Sequence, residues 1–323
     1  MSLLKTKLPA TLTCLCLLLS ISLSTKAEAT LETNSIYQNA KTQLPPDFYA
    51  LYRIVERLSR ANKYDTRPWQ VVRVAKYDTQ AFAKNANLIP IYNGALEQLG
   101  GDASALACMI SHEMAHHKQR HQVIGNIEKA QLIAQFREEA AETVLNRKRK
   151  TSAVTAVGDF VVRRVIGGTI GTVVNGVLSN RSARRFRKQQ RRINEIVEEK
   201  TVELEENIQK QNRKDEFEAD KIAYLASVKA GFDKQGCLRA MSVLNRTSGV
   251  KLDQNHPTIE ERIAALKAVM QKHPLENLVE EGKENLLQTQ PLTYNLSPNQ
   301  TSLRINSRHG ASVGDDIDRM FGS

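Results

Sequence analysis

Residues 103–121 read ASALACMISHEMAHHKQRH, and the histidines at 112 and 116 decide how the rest is to be placed. On an α-helix, residues four apart lie about 40° from each other round the axis and one turn along it. His112 and His116 therefore project two imidazoles onto one face, within reach of a single tetrahedral Zn²⁺. Glu113 is rotated by about 100° from His112, which sets its carboxylate beside such a metal, where a base for the attacking water belongs. His117 and His121 keep no one-turn register with both of these histidines and read as solvated or second-sphere. An HExxH string alone also fits a polar helix face with incidental histidines, so a third ligand is needed.

Working outward, two common positions for that ligand fail. A metzincin pattern needs Gly at 119 and His at 122, where the chain has Gln119 and Gln122. A thermolysin pattern needs a Glu about twenty residues after the second His, where Phe136 stands. The remaining candidate is 215–220, DEFEAD, in which Glu216 and Asp220 again stand one helical turn apart. One carboxylate can reach the metal while the other accepts a hydrogen bond from the far ring nitrogen of a ligand His. Glu216 is preferred over Glu218 because it alone keeps the four-residue spacing to Asp220.

The ends and the charge bound the context. Lys5 and Lys7, the apolar run Leu8 to Leu23 and Ala27-Glu28-Ala29 have the layout of a secretory signal peptide over 1–29. An uncleaved anchor and a lipoprotein signal are the rival readings. Removing Lys5, Lys7 and Lys26 with Glu28 lowers the formal charge from +11 to +9. Residues 147–192 hold thirteen Lys and Arg against the single acid Asp159, so the basic character belongs to one Gly- and Val-rich insert. Two cysteines remain beyond the signal, Cys108 and Cys237. Both fall in apolar helical patterns and are expected as small buried hydrophobes, with one bridge as the alternative.

Periodicity predicts a mainly helical α+β chain. Helices are expected over 46–61, from Ala103 through the HExxH motif to about Leu145, from Ile193 to about Leu225, over 234–244, and after His256-Pro257. Thr258 and Glu261 have capping-box spacing. Trp69 to Ala75 and Leu88 to Tyr92 read as strands, the second an edge strand because Pro90 cannot donate to a ladder. The expected organisation is a linker over 30–44, a domain over 45–275 carrying the insert, and a polar, poorly ordered tail over 276–323 with at most one short helix.

These motifs resemble those of the gluzincin zinc metallopeptidases of the CAAX prenyl protease and HtpX type, and within them the soluble periplasmic quality-control branch. The resemblance covers roughly Leu51 to Ala268. It rests on Gly94-Ala95-Leu96, Ser111 to His116, Glu216 to Ala223, Ala230-Gly231-Phe232-Asp233, and His256-Pro257 with Arg262-Ile263. It implies a zincin-like fold with a small edge-strand sheet over the HExxH helix, and one Zn²⁺ per chain held by His112, His116 and Glu216. It also implies that Glu113 is the general base, that Asp220 orients a ligand His, and that His256 and Arg262 lie near the cleft. His256 would help the oxyanion or occupy the open metal position in a latent state. The family lays substrate along the edge as an added strand. Asn85-Ala86-Asn87 in place of Pro-Gly-Gly, and Pro90 in the strand, alter that edge.

The implied activity is endoproteolysis of misfolded or membrane-associated proteins, in the periplasm and peripheral to a membrane. A zinc-holding chaperone or adaptor is the competing class, and the intact Glu113 speaks against it because holding zinc needs no base. Nucleic acid is not expected as a partner, since Phe160 and Phe186 are the insert's only aromatics. A charge run of this kind is usually only a solvated face; beside an apolar centre it also suits an anionic membrane surface.

Overall fold

The computed structural model describes residues 35–74, 87–121, 124–146, 180–246, 256–272 and 275–322. The expected signal peptide over 1–29 and the centre of the basic insert over 147–179 lie outside the described residues. The described residues divide into two compact units, the first lying within 1–121, 217–251 and 258–323, the second within 122–216 and 252–257.

In the first unit, residues 35–43 form helix α1, where a linker was expected. Helix α2, Pro46–Ala61, opens with Pro in its first turn, where a missing N–H costs nothing. It buries Phe48, Leu51, Tyr52, Val55 and Leu58, the i, i+3, i+4, i+7 face that its sequence spells. Strands β1, Trp69–Val74, and β2, Leu88–Tyr92, pair in parallel. The short helix α3, Asn93–Leu99, leads to α4, Ala103–Gln119. After the long helix α6, Asn180–Lys229, come α7, Gly236–Arg246, α8, Ile259–Lys272, and α9, Leu275–Leu287. The predicted capping box closes α8: Thr258 N–H donates to Glu261 Oε2 at 2.8 Å, and Glu261 N–H to Thr258 Oγ1 at 3.2 Å.

The tail departs from expectation. Beyond α9, strands β3, Tyr294–Leu296, and β4, Ser302–Ile305, complete a four-stranded mixed sheet in the order β2-β1-β4-β3. Helix α10, Val313–Phe321, follows. Leu303 and Ile305 are buried and alternate with outward Ser302 and Arg304, a period-2 pattern too short to stand out in a polar stretch. Buried Arg60 of α2, balanced by Glu56 at 2.7 Å, donates to the carbonyls of Leu286 and Thr289. Tyr52 donates to Leu292 O at 2.7 Å. The tail therefore satisfies polar groups of the core and forms part of the first unit.

The helix expected to run from Ala103 to Leu145 also stops early. Arg120 takes a left-handed φ of 57°, with its N–H on His117 O at 3.3 Å and that of His121 on His116 O at 3.0 Å. These two bonds close the helix end in the Schellman manner.

The second unit is built on α5, Asn126–Asn146, and the part of α6 before Phe217. Ala140 and Ala141 bury against Ile193 and Val197. Lys129 reaches Glu205 and Lys200 reaches Glu139, each at 2.5 Å, so the two helices run antiparallel.

Candidate metal centre

Helix α4 carries the HExxH residues through the main core. Asp102 caps it by accepting Ala105 N–H at 3.0 Å, satisfying one of the donors a helix N-terminus leaves open. Ala107, Ile110, Met114 and Ala115 are buried. Ser227 of α6 donates to Ser111 Oγ at 3.1 Å in the interior, fixing α4 against that helix. Cys108, one turn before His112, is disulfide-bonded to Cys237 of α7, with Cα atoms 5.1 Å apart. The cysteines are thus a bridge and not two separate buried thiols.

The two motif histidines converge. His112 Nε2 and His116 Nε2 lie 3.0 Å apart, their rings at 74°. Glu216, at the last position of the second unit, stands one turn before Asp220 on unbroken α6. Among the described residues, His112, His116 and Glu216 can each offer one ligand atom, all within 4.8 Å of one another.

The far nitrogens of both rings are engaged. His112 Nδ1 lies 3.0 Å from Asp220 Oδ1. Asp220 in turn accepts two bonds from Arg262, from Nε and Nη2, both at 2.7 Å. Burial pushes the Asp220 carboxyl up, but hydrogen bonds from Arg262 and His112 and their charges outweigh it, holding the group below the usual carboxylate range. His116 Nδ1 lies 3.0 Å from His121 Nδ1. With the Nδ1 protons directed to Asp220 and His121, both Nε2 atoms would be free to offer lone pairs to one cation; without one, at 3.0 Å, they stand within hydrogen-bond reach of each other. Two imidazoles with one carboxylate are a zinc donor set that keeps a fourth position open, so these residues fit a catalytic zinc.

The remaining predicted residues fall as follows. Glu113 is half-buried on α4, rotated from the ligand face as the helix requires. His256 Nε2 lies 4.0 Å from Glu216 Oε1, and its carbonyl accepts from Arg213 Nη1 at 3.3 Å. Arg262, expected near the cleft, is buried against Asp220, whose carboxylate also meets His112. His117, expected as solvated or second-sphere, donates from Nε2 to the carbonyl of Leu88 at 2.6 Å and stands edge-on to Trp69. Nothing in residue spacing announces that contact, because it depends on where the sheet meets α4.

Residues 46–270 match the profile of peptidase family M48. The chain belongs to that family. Peptidases of family M48 are zinc-dependent metallopeptidases, and the helical chain with its mixed sheet has their α+β, zincin-like fold. Comparison with curated proteins gave no match, and neither did comparison with solved structures.

Proposed function

We propose that this metallopeptidase is an endopeptidase acting on misfolded or membrane-associated proteins, with His112, His116 and Glu216 holding one zinc ion. The convergence of the two Nε2 atoms with Glu216, beside an intact Glu113, carries the reading. A zinc ion held by these three residues would act as a Lewis acid toward the scissile carbonyl and would lower the pKa of water towards about 7. Glu113 takes the proton of the attacking water on its carboxylate and returns it to the leaving amine. Asp220, held by Arg262, fixes the His112 ring with Nδ1 protonated. His256, whose Nε2 lies 4.0 Å from Glu216 Oε1, would help bind the developing oxyanion or, in a latent form, would itself serve as a ligand.

Substrate would add as a strand along β2, an edge of the sheet. Gln70 N–H donates to Asn87 O at 2.9 Å, so by alternation Leu88 and Pro90 turn their backbone polar groups away from β1. Pro90 offers no donor there, and Leu88 O already accepts from His117. This edge therefore sets fewer backbone bonds than an ordinary one, which favours loosely specified, unfolded segments. Removing metal with a chelator should abolish casein cleavage, and one equivalent of zinc should restore it. Cleavage that persists in the metal-free protein refutes the reading.

We further propose export to the periplasm and reversible attachment to an anionic membrane surface through 147–192. Support comes from the start of α6, where Arg181, Arg184, Arg185, Arg187, Lys188, Arg191 and Arg192 are all exposed. No described helix is long and apolar enough to cross a membrane. Each basic residue near such a surface contributes about 1 kcal/mol, fading within a Debye length of ~8 Å at physiological salt. Flotation with anionic vesicles should weaken steeply with salt and vanish when 147–192 is replaced by a Gly-Ser linker. Equal flotation of the replaced chain refutes attachment.

A further inference from the structure

The two ligand histidines are supported unequally. His112 rests directly on a buried carboxylate, whereas His116 Nδ1 faces a third imidazole, His121, at 3.0 Å. The helix end makes this possible. The left-handed Arg120 and the bond from His121 N–H to His116 O fold the chain back, so that His121 lands against the ring one turn earlier. The rings of His116 and His121 meet edge-on, centroids 5.0 Å apart at 77°. On its other side, His121 Nε2 lies 3.4 Å from Glu218 Oε2 of α6. The His121 side chain is 8% exposed, that of Glu218 52%.

One proton arrangement satisfies all of these contacts. His116 gives the Nε2 lone pair to the metal, so its proton sits on Nδ1 and donates to His121 Nδ1. His121 then carries its own proton on Nε2 and directs it to the Glu218 carboxylate. In this arrangement every nitrogen has a role, and the chain of bonds ends on the Glu218 carboxylate. The opposite tautomer of His121 would set two N–H groups against each other at 3.0 Å.

We propose that His121 is a positioning residue for the metal centre, fixing the tautomer and ring orientation of His116, with Glu218 as the outer anchor. This rests on the reading of His112, His116 and Glu216 as zinc ligands. Partners of ligand histidines of this kind change metal affinity by roughly 10- to 100-fold when removed. The Glu218 contact, longer and half-exposed, contributes less.

Two substitutions separate positioning from packing. His121→Phe keeps a flat ring without an acceptor, and His121→Asn keeps an acceptor near Nδ1 without the ring. Zinc affinity of the full chain is measured by chelator competition, alongside the nitrogen-15 shift and proton of His116 Nδ1 in the zinc-loaded protein. His121→Phe should bind zinc roughly 10- to 100-fold more weakly and lose the His116 Nδ1 proton signal, while His121→Asn should recover most of the affinity. Glu218→Gln should cost less than about tenfold. If His121→Phe holds zinc as tightly as wild type, or His121→Asn is the weaker of the two, the positioning role is overturned. Failure of the wild type itself to take up zinc overturns the metal reading, and the relay with it.

Discussion

Replacing both bridged cysteines, Cys108→Ala with Cys237→Ala, should destabilise the first unit substantially. The bridge closes a sequence separation of 129 residues. In the loop-entropy account a 100-residue loop is worth about 4.7 kcal/mol, so about 5 kcal/mol is the upper bound here, and about 2–4 kcal/mol is the usual yield. Each kcal/mol shifts Tm by roughly 2–4 °C in a chain of this size, which places the expected loss at roughly 5–15 °C. Cys108 sits one turn before His112 and Cys237 anchors α7 to the same helix, so zinc affinity should fall along with Tm. The assay is calorimetry of the metal-free chain from Thr30 onward, with and without reductant, together with thiol titration in denaturant. Two titratable thiols in the unreduced, denatured protein would refute the bridge. An unchanged Tm for the double variant would refute its energetic role.

Glu216→Ala should lose most bound zinc while Glu218→Ala retains most of it, as measured by metal analysis after desalting; the reverse would show that the wrong carboxylate was assigned as ligand. Arg262→Leu leaves buried Asp220 without its guanidinium, and breaking a buried pair costs about 3–5 kcal/mol, readable in urea unfolding; a loss under about 1 kcal/mol would mean that the pair behaves as an exposed one. Because the folded-state pKa of Asp220 is depressed, its contribution is fully present above about pH 4, the ordinary Asp value, and is lost as pH falls through the depressed one. Wild type should therefore lose more stability than Asp220→Asn on acidification in that window, and parallel pH profiles would contradict this.

The four-residue spacing of His112 and His116 was legible because helix geometry turns it into a shared face, and α4 brings their Nε2 atoms to 3.0 Å. Strand β2 was legible for a similar reason, with Pro90 marking the edge it occupies. The sites that escaped depend on chain reversals or on partners far away in sequence. His121 reaches His116 only because the helix ends at Arg120, and that end is written by hydrogen bonds and one left-handed residue, with neither Gly nor Pro to announce it. Strands β3 and β4 are too short for alternation to outweigh a polar composition, and their stability comes from pairing with β1 and from Arg60 and Tyr52. The disulfide could not be read from two cysteines in separate apolar patterns, because their proximity is set by the packing of α7 on α4.

The most direct test is a side-by-side measurement on Glu113→Gln and wild type, zinc content together with casein cleavage. A ligand set of His112, His116 and Glu216 with Glu113 as base predicts near-stoichiometric zinc in both proteins and cleavage in wild type alone. Substantial cleavage by Glu113→Gln, or loss of its zinc, would contradict that division of roles.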